Sequence, residues 1–525
     1  MITLFIYGNS CDINNVLDWR TNGMRISYSD NVKFNNNVDF CVGTGRIGLA
    51  LGKEYFEQLK FVQEQVGFKY IRGHGLLTDD MAIYQEYKEE DGTTTVEYNY
   101  TYLDLVMDSY LSVGIRPFLE LGFMPEKLAS GDQTVFYWKG NVTPPSSYER
   151  WADLLQNMLR HFIARYGIEE VLTWPIEVWN EPNLPGFFKG ADMEEYFKLF
   201  EISFNAIKEV DERFRVGGPA ICGVNDEVWI RKFMEFCDER KLKIDFVSRH
   251  HYTTEFPKPV GHYGYQELSD PEYGKNNLHV TREIIDSFPA YKGSEIHITE
   301  FNTSYIPNNP LHDTNRNAAY MAGQLSWLGD DNESYSYWTF GDIFEERGVP
   351  FTPFHGGFGM VANGVIPKPT LWTFAFYKKL KGFDCIYRSD NTVIVSDKKN
   401  EYRGIMWNST LRDCGETLNL DYEIELPEDA CGEYSITYRV VDPETCNPLK
   451  VWHDLGEPSS LSEDEKAILR QAAVPFVKSG RIDANDGVLR ISQEVKESGV
   501  VYFECKKSEI TSDRGYDYER VARGE

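Results

Sequence analysis

Eight short apolar runs, each followed by a stretch with helical spacing, restrict the fold of this chain more than any other feature. The runs cover residues 40–45, 68–75, 115–123, 174–183, 215–220, 244–252, 295–302 and 334–341. The helical spacing covers 49–65, 101–113, 147–166, 193–210, 226–240, 281–288, 315–328 and 370–380. Strand–helix alternation sustained over about 350 residues is the pattern of an α/β fold, the (β/α)8 TIM barrel, here expected over residues 38–382. In that fold, chemistry gathers at the carboxyl ends of the strands.

After Gly382 the period changes from helical to two. Runs at 392–396, 404–407, 418–426, 434–440, 488–492 and 500–503 alternate apolar and polar residues, with one helical interruption at 462–473. This predicts a C-terminal β-sandwich accessory domain over 383–525. Residues 1–37 are Asn-rich and read as an N-terminal extension, partly ordered or packing as an edge on the accessory domain. The charged stretch from Thr511 is expected to be mobile.

Composition narrows the function classes. A formal net charge of −28 over 525 residues repels phosphate and disfavours nucleic acid and anionic membranes as partners. The nine cysteines are scattered without C-x-x-C spacing, so neither a zinc site nor a disulfide framework is expected, and a reduced cytoplasmic setting fits. The opening run Met1 to Tyr7 lacks a basic start and is too short for a signal peptide, and no run approaches a membrane span.

Two strand ends carry carboxylates. In residues 174–183, Ile176 and Val178 suit a buried strand that Asn180, Glu181, Pro182 and Asn183 stop abruptly. The alternating run 295–302 delivers Glu300 beside Asn302, Thr303 and Ser304. Carboxylates so far apart in sequence converge only if their strands share one sheet. Such a pair suits glycoside cleavage, in which one carboxyl protonates the leaving oxygen and the other attacks or activates water. That chemistry needs no cofactor and no metal, and no metal triad is expected. Glu120 ends a strand and Glu177 lies within one; both read as structural hydrogen-bond partners.

Gly43-Thr44-Gly45-Arg46-Ile47-Gly48 matches G-x-G-x-x-G between a strand and a helix. A dinucleotide site also needs an acidic residue ending the second strand, where this chain has Arg72, Gly73, His74 and Gly75. An NAD-dependent sugar oxidoreductase is therefore the distant alternative, and these glycines read as room for close backbone turns. A noncatalytic carbohydrate-binding protein is the other, since it would keep the aromatics without needing two strand-end glutamates.

Residues 40–45, 72–75, 131–145, 177–183, 247–250, 298–305 and 336–340 closely resemble the β-xylosidases of glycoside hydrolase family 39. The likeness runs from about residue 38 through the barrel and continues more weakly beyond. It implies a retaining, exo-acting 1,4-β-xylosidase that releases xylose from xylo-oligosaccharides. Glu181 maps to the general acid/base and Glu300 to the nucleophile. The resemblance also implies sugar contacts for His74, Asn180, His250, Tyr252, Trp338 and Glu346, and a homotetramer. Alternative substrates for the same mechanism are an arabinopyranoside, a galactoside or an iduronide.

The residues themselves say more about these roles. Asn180 can donate to the sugar 2-hydroxyl or cap its own loop. His250 and Tyr252 share a strand face, from which Tyr252 can reach the nucleophile. Trp338 is expected to form an apolar platform, with a buried ring free of substrate as the alternative. Glu345 rivals Glu346 for the outer hydroxyls. His251, where a smaller residue is common in the family, is expected to alter pocket contacts.

Overall fold

The structure, a computed structural model, describes residues 24–411, 414–508 and 515–523. The opening apolar run and residues 511–514 lie outside the described residues. Eight parallel strands form a closed barrel: β1 (Cys41–Arg46), β2 (Tyr70–His74), β3 (Arg116–Glu120), β4 (Ile176–Glu177), β5 (Val216–Ile221), β6 (Phe246–Tyr252), β7 (Glu295–Asn302) and β8 (Ser334–Tyr337). Each pairs with the next, and β8 closes the ring on β1. The surrounding helices are α1 (Lys53–Gln65), α2 (Thr101–Ser112), α3 (Tyr148–Tyr166), α4 (Met193–Val210), α5 (Asp226–Arg240), α6 (Pro271–Asp286), α7 (Asn315–Trp327) and α8 (Pro369–Lys379). The (β/α)8 expectation is met.

The largest departure is α6, which begins ten residues before the helical spacing at 281–288 suggests (281 − 271 = 10). Asp270 caps it by accepting from the Glu272 amide, and Pro271 occupies its first turn. Gly274, Asn276 and Asn277 are poor helix formers that mask the pattern. Tertiary packing overrides them: a side chain at Gly274 would meet the His251 ring, and Asn277 bonds both Arg249 and Asp226. His251 therefore faces the helix layer, where it bonds Gln324 and packs edge-on against Trp327, and does not line the mouth.

The barrel interior is layered. At the amino ends of the strands, Cys41, Phe118 and Phe246 form an apolar plug against which the His297 ring packs. Above it lies a charged layer centred on Arg72.

The accessory region contains β9 (Asp384–Arg388), β10 (Thr392–Ser396), β11 (Glu401–Trp407), β12 (Leu418–Glu425), β13 (Gly432–Val441), β14 (Phe476–Ala484), β15 (Val488–Val495) and β16 (Val500–Lys507). Six strands form one sheet in the order β9-β10-β11-β16-β13-β14. The second sheet is β12 and β15, with the strand Met24–Ser27 added in parallel to β12. Alternation sorts the six-stranded sheet by face. Val393, Val395, Ile405 and Tyr502 join the barrel core, whereas Ile394, Met406, Val501 and Phe503 join Ile26, Ile424 and Ile491 between the sheets. A bidentate Arg388–Asp330 pair and a bond from the Trp372 indole to the Ala473 carbonyl also tie the two parts together.

Two accessory helices, α9 (Pro448–Asp454) and α10 (Glu463–Ala472), lie against the loop joining β8 to α8. There Trp452 packs on Phe354 and Leu469 shares a small core with Ala362 and Ile366. Beyond residue 514, where mobility is expected, the chain forms an exposed helix at Tyr518–Arg523. All described cysteines are free thiols. No described helix is long and apolar enough to cross a membrane.

Candidate active site

Glu181 and Glu300 meet at the carboxyl end of the barrel. β4 ends at Glu177, and the chain then turns through Trp179 at φ +73° and Glu181 at φ +45°. Left-handed backbone at non-glycine residues is strained and is retained where a side chain must be aimed. The Glu181 amide donates to the Ala220 carbonyl, which anchors this turn on the end of β5. Glu300 lies near the end of β7, where the pairing with β6 shifts register between Arg249 and His250. Oxygens of Glu181 and Glu300 and a ring nitrogen of His250 all lie within 4.8 Å of one another. Such a trio could also hold a cation, a grouping that spacing along the sequence does not reveal.

Arg72 organises the site from below. Its fully buried guanidinium donates to Glu177 Oε2 at 2.6 Å, Glu300 Oε1 at 2.7 Å and Asn180 Oδ1 at 2.8 Å, and lies 2.9 Å from Glu120 Oε2. Thr299 donates to the other oxygen of Glu177, and His74 Nδ1 lies 2.8 Å from Glu120. Glu120 and Glu177 are thus hydrogen-bond partners of the site. Arg72 is absent from the residues that the resemblance assigns to the pocket. Its one sequence signal is a cation between Ile71 and Gly73 within a strand buried on both faces, which requires buried carboxylates.

The other expected residues lie around the pair. Tyr252 donates to Glu300 Oε2 at 2.7 Å, and His250 Nδ1 lies 2.8 Å from Glu181 Oε1. Asn180 does not cap its own loop, because its oxygen is engaged by Arg72, which leaves the amide N–H groups for other partners. His74 Nε2 lies 3.5 Å from Glu300 and 3.9 Å from Glu346. Glu345 turns away to pair with Arg46 at 2.7 Å, so Glu346 is the acidic residue that faces the pocket. Trp338 is buried, with its ring 4.6 Å from that of His74. Phe136 also stacks on His74, and Phe344 meets Trp338 edge-on; these two rings complete a wall that strand patterning does not expose.

This wall also accounts for the glycine-rich segment. A Cβ on Gly43 would lie 2.3 Å from the Trp338 ring, and one on Gly45 would lie 2.7 Å from Phe344. The missing side chains admit those rings and leave no bay for a pyrophosphate on that side.

The protonation states diverge. Burial, and then the neighbouring Glu300 charge, push Glu181 well above the usual carboxylate range. Burial raises Glu300 too, but Arg72, His74 and the Tyr252 hydroxyl oppose the rise. The pair therefore favours one shared proton, held on Glu181. Burial, with the Arg72 charge, drives His250 well below its ordinary value, so it stays neutral. A neutral imidazole can accept from protonated Glu181 or donate to its carboxylate, which suits a group that alternates between acid and base. Burial and the same two carboxylates hold Glu346 well above the usual range.

The family model of "Glycosyl hydrolases family 39" matches residues 25–490. The chain belongs to that family. It is 48% identical to a "Beta-xylosidase" of Geobacillus stearothermophilus over 478 residues, covering 90% of this chain and 94% of that one. A "Beta-xylosidase" of Caldicellulosiruptor saccharolyticus is 36% identical over 432 residues, covering 81% and 86%. Among solved structures, a "monomeric beta-xylosidase from Caulobacter crescentus CB15" superposes with a TM-score of 0.82 at 29% identity, over 92% of this chain and 99% of that one. The chain is thus a glycoside hydrolase.

Proposed function

We propose that this chain is a retaining, exo-acting 1,4-β-xylosidase that acts on xylo-oligosaccharides by double displacement. The observation that carries the reading is the approach of Glu181, in the turn after β4, and Glu300, on β7, to within 4.8 Å, oxygen to oxygen. Retaining glycosidases hold their carboxyls roughly 5 Å apart, whereas inverting ones leave room for a water. Glu300, kept anionic by Arg72 and Tyr252, attacks the anomeric carbon. Protonated Glu181 donates to the leaving oxygen, then acts as base on the water that cleaves the glycosyl-enzyme. Asn180 is the donor for the sugar 2-hydroxyl, and His74, His250, Trp338 and Glu346 line the sugar. Glu181 and Glu300 are only 8% and 4% exposed beneath the aromatic wall, an enclosure that suits a chain end over a mid-chain segment. The two β-xylosidase relatives support xylose as the sugar.

The purified chain is assayed with aryl β-xylopyranoside, arabinopyranoside, galactoside and iduronide, and the first-formed anomer is read by NMR. Xylose released with retention is the expected result; inversion, or preference for another glycoside, replaces the reading. Rates fall on the acid side as Glu300 takes a proton and on the alkaline side as Glu181 loses its own. Glu181→Ala should remove the alkaline limb and lower kcat/KM about 10²–10⁴-fold on poor leaving groups. It should lose far less on activated aryl xylosides, with recovery in azide. A full alkaline limb in that variant would rule Glu181 out as the acid. The free thiols support a cytoplasmic location. Light scattering separates the homotetramer carried by the resemblance from the monomeric state named for the Caulobacter relative.

A further inference from the structure

We infer that Lys368, buried beside the barrel at the start of α8, is a positioning residue for the sugar pocket: it clamps both legs of the β8–α8 loop and so fixes where Trp338, Phe344 and Glu346 stand. The inference rests on the function proposed above for those three residues.

The Lys368 side chain has no exposure. Its ammonium lies 2.6 Å from Asp313 Oδ1 and 2.6 Å from Asp342 Oδ2, and donates to the Gly357 carbonyl at 2.8 Å. Two of these contacts are ion pairs and the third is a hydrogen bond to backbone. The remaining aspartate oxygens are engaged as well: Asp313 accepts from the Gly356 amide and Asp342 from the Gly359 amide, each at 2.7 Å. Asp342 belongs to the outgoing leg of the loop, residues 356–359 to the returning leg, and Asp313 to the preceding β7–α7 connection. One cation therefore gathers three backbone segments. Gly356, at φ +76°, permits the approach, because a Cβ there would meet the Asn309 backbone at 2.4 Å.

Each clamped segment leads to a pocket group. Asp342 lies midway between Trp338 and Glu346 in the sequence. On the returning leg, Phe358 meets Phe344 edge-on at 5.2 Å, and Phe344 meets Trp338 at 6.1 Å. The Thr339 amide donates to the Phe358 carbonyl, and Asn302, two residues beyond Glu300, donates to the Trp338 carbonyl. The rings of Phe358, Phe344 and Trp338 thus form a column standing on the clamp. Farther out, the loop is pinned by Arg46–Glu345 and by the Tyr137 amide on the Glu346 carbonyl. The Arg46–Glu345 pair is partly exposed, so the buried clamp is the stronger constraint. The two aspartate charges outweigh burial and raise the Lys368 pKa, so the cation persists at any working pH.

The test compares Lys368→Met with the triple variant Lys368→Met/Asp313→Asn/Asp342→Asn, which leaves no unpaired buried charge. KM for the aryl xyloside and the inhibition constant for free xylose should both rise about tenfold or more in Lys368→Met, because a small displacement of binding groups is costly. Amides of 341–347 and 356–360 should exchange faster in deuterium, with barrel amides unchanged. The triple variant should regain Tm while its xylose affinity stays low. A variant with lowered Tm but wild-type KM and xylose affinity makes Lys368 purely structural and overturns the inference, as does recovery of both by the triple variant. If Lys368→Met does not fold, Asp342→Asn, which keeps two of the Lys368 contacts, is read in the same way. Should the wild type hydrolyse no glycoside in the panel, the proposed function falls separately. Exchange still judges the clamp in that case, and unchanged protection of the loop in the variants would refute it.

Discussion

Glu300→Ala is expected to lower kcat/KM for an aryl β-xyloside by at least about 10⁴-fold, the scale of removing a covalent nucleophile. The loss should not come from unfolding. Arg72 keeps Glu120 and Glu177 as partners, and Tyr252 loses one hydroxyl contact. The substitution also relieves the charge repulsion that raises Glu181. Removing an active-site charge of this kind commonly leaves stability unchanged or improved. Azide separates the two carboxylates chemically. In Glu300→Ala it fills the space of the nucleophile and yields the α-glycosyl azide. In Glu181→Ala it attacks the glycosyl-enzyme and yields the β-anomer. A folded Glu300→Ala enzyme with near wild-type turnover would end the proposed mechanism.

Arg72→Met should be the most damaging single change to stability, at about 3–5 kcal/mol, because it strands buried carboxylates whose common cation is gone. Glu120, Glu177 and Glu300 each lie within 2.9 Å of the guanidinium, with no side-chain exposure for the first two and almost none for the third. The loss should depend on pH. Arg72 is the leading influence that lowers the Glu300 pKa, so in the variant the folded-state value climbs further above its unfolded value. A carboxyl raised in this way favours the folded state at low pH, and that contribution is lost as pH rises through the folded value. The deficit should therefore be largest at neutral pH and smaller in acid, measured as Tm against wild type across the range. Lys at this position keeps the charge but not the fork, and should recover only part of the loss. A variant as stable as wild type at pH 7 would mean that the carboxylates do not need the cation.

The barrel was legible because parallel strands covered on both faces appear as apolar runs, and helices facing such a sheet carry a regular stripe. Legibility ended where tertiary contacts override local preference. α6 starts at residues that favour turns, because His251 and Arg249 need Gly274 and Asn277 opposite them. β14 shows no alternation because nearly all of it is exposed, and its place is set by pairing with β13. The hairpin Tyr84–Lys88 with Thr94–Tyr98, between β2 and α2, is likewise polar and gives no apolar run. In the site, Glu181 and Glu300 stood out because each interrupts a hydrophobic strand end. The choice between Glu345 and Glu346 could not be read from the chain, because it depends on Arg46, about 300 residues away in the sequence. The ring column under Trp338 is hidden for the same reason.

The parallel pairing of Met24–Ser27 with β12, in which Met24 faces Tyr422, has a consequence for how the molecule is made. The entire barrel separates the two partners in the sequence. A ribosome releases the first strand long before its neighbour exists, so Ile26 must wait, exposed, for the apolar pocket that Ile424 and Ile491 will form. Closing so long a loop adds little to the equilibrium cost but delays the event. The seam should therefore be among the last contacts to form in the nascent protein.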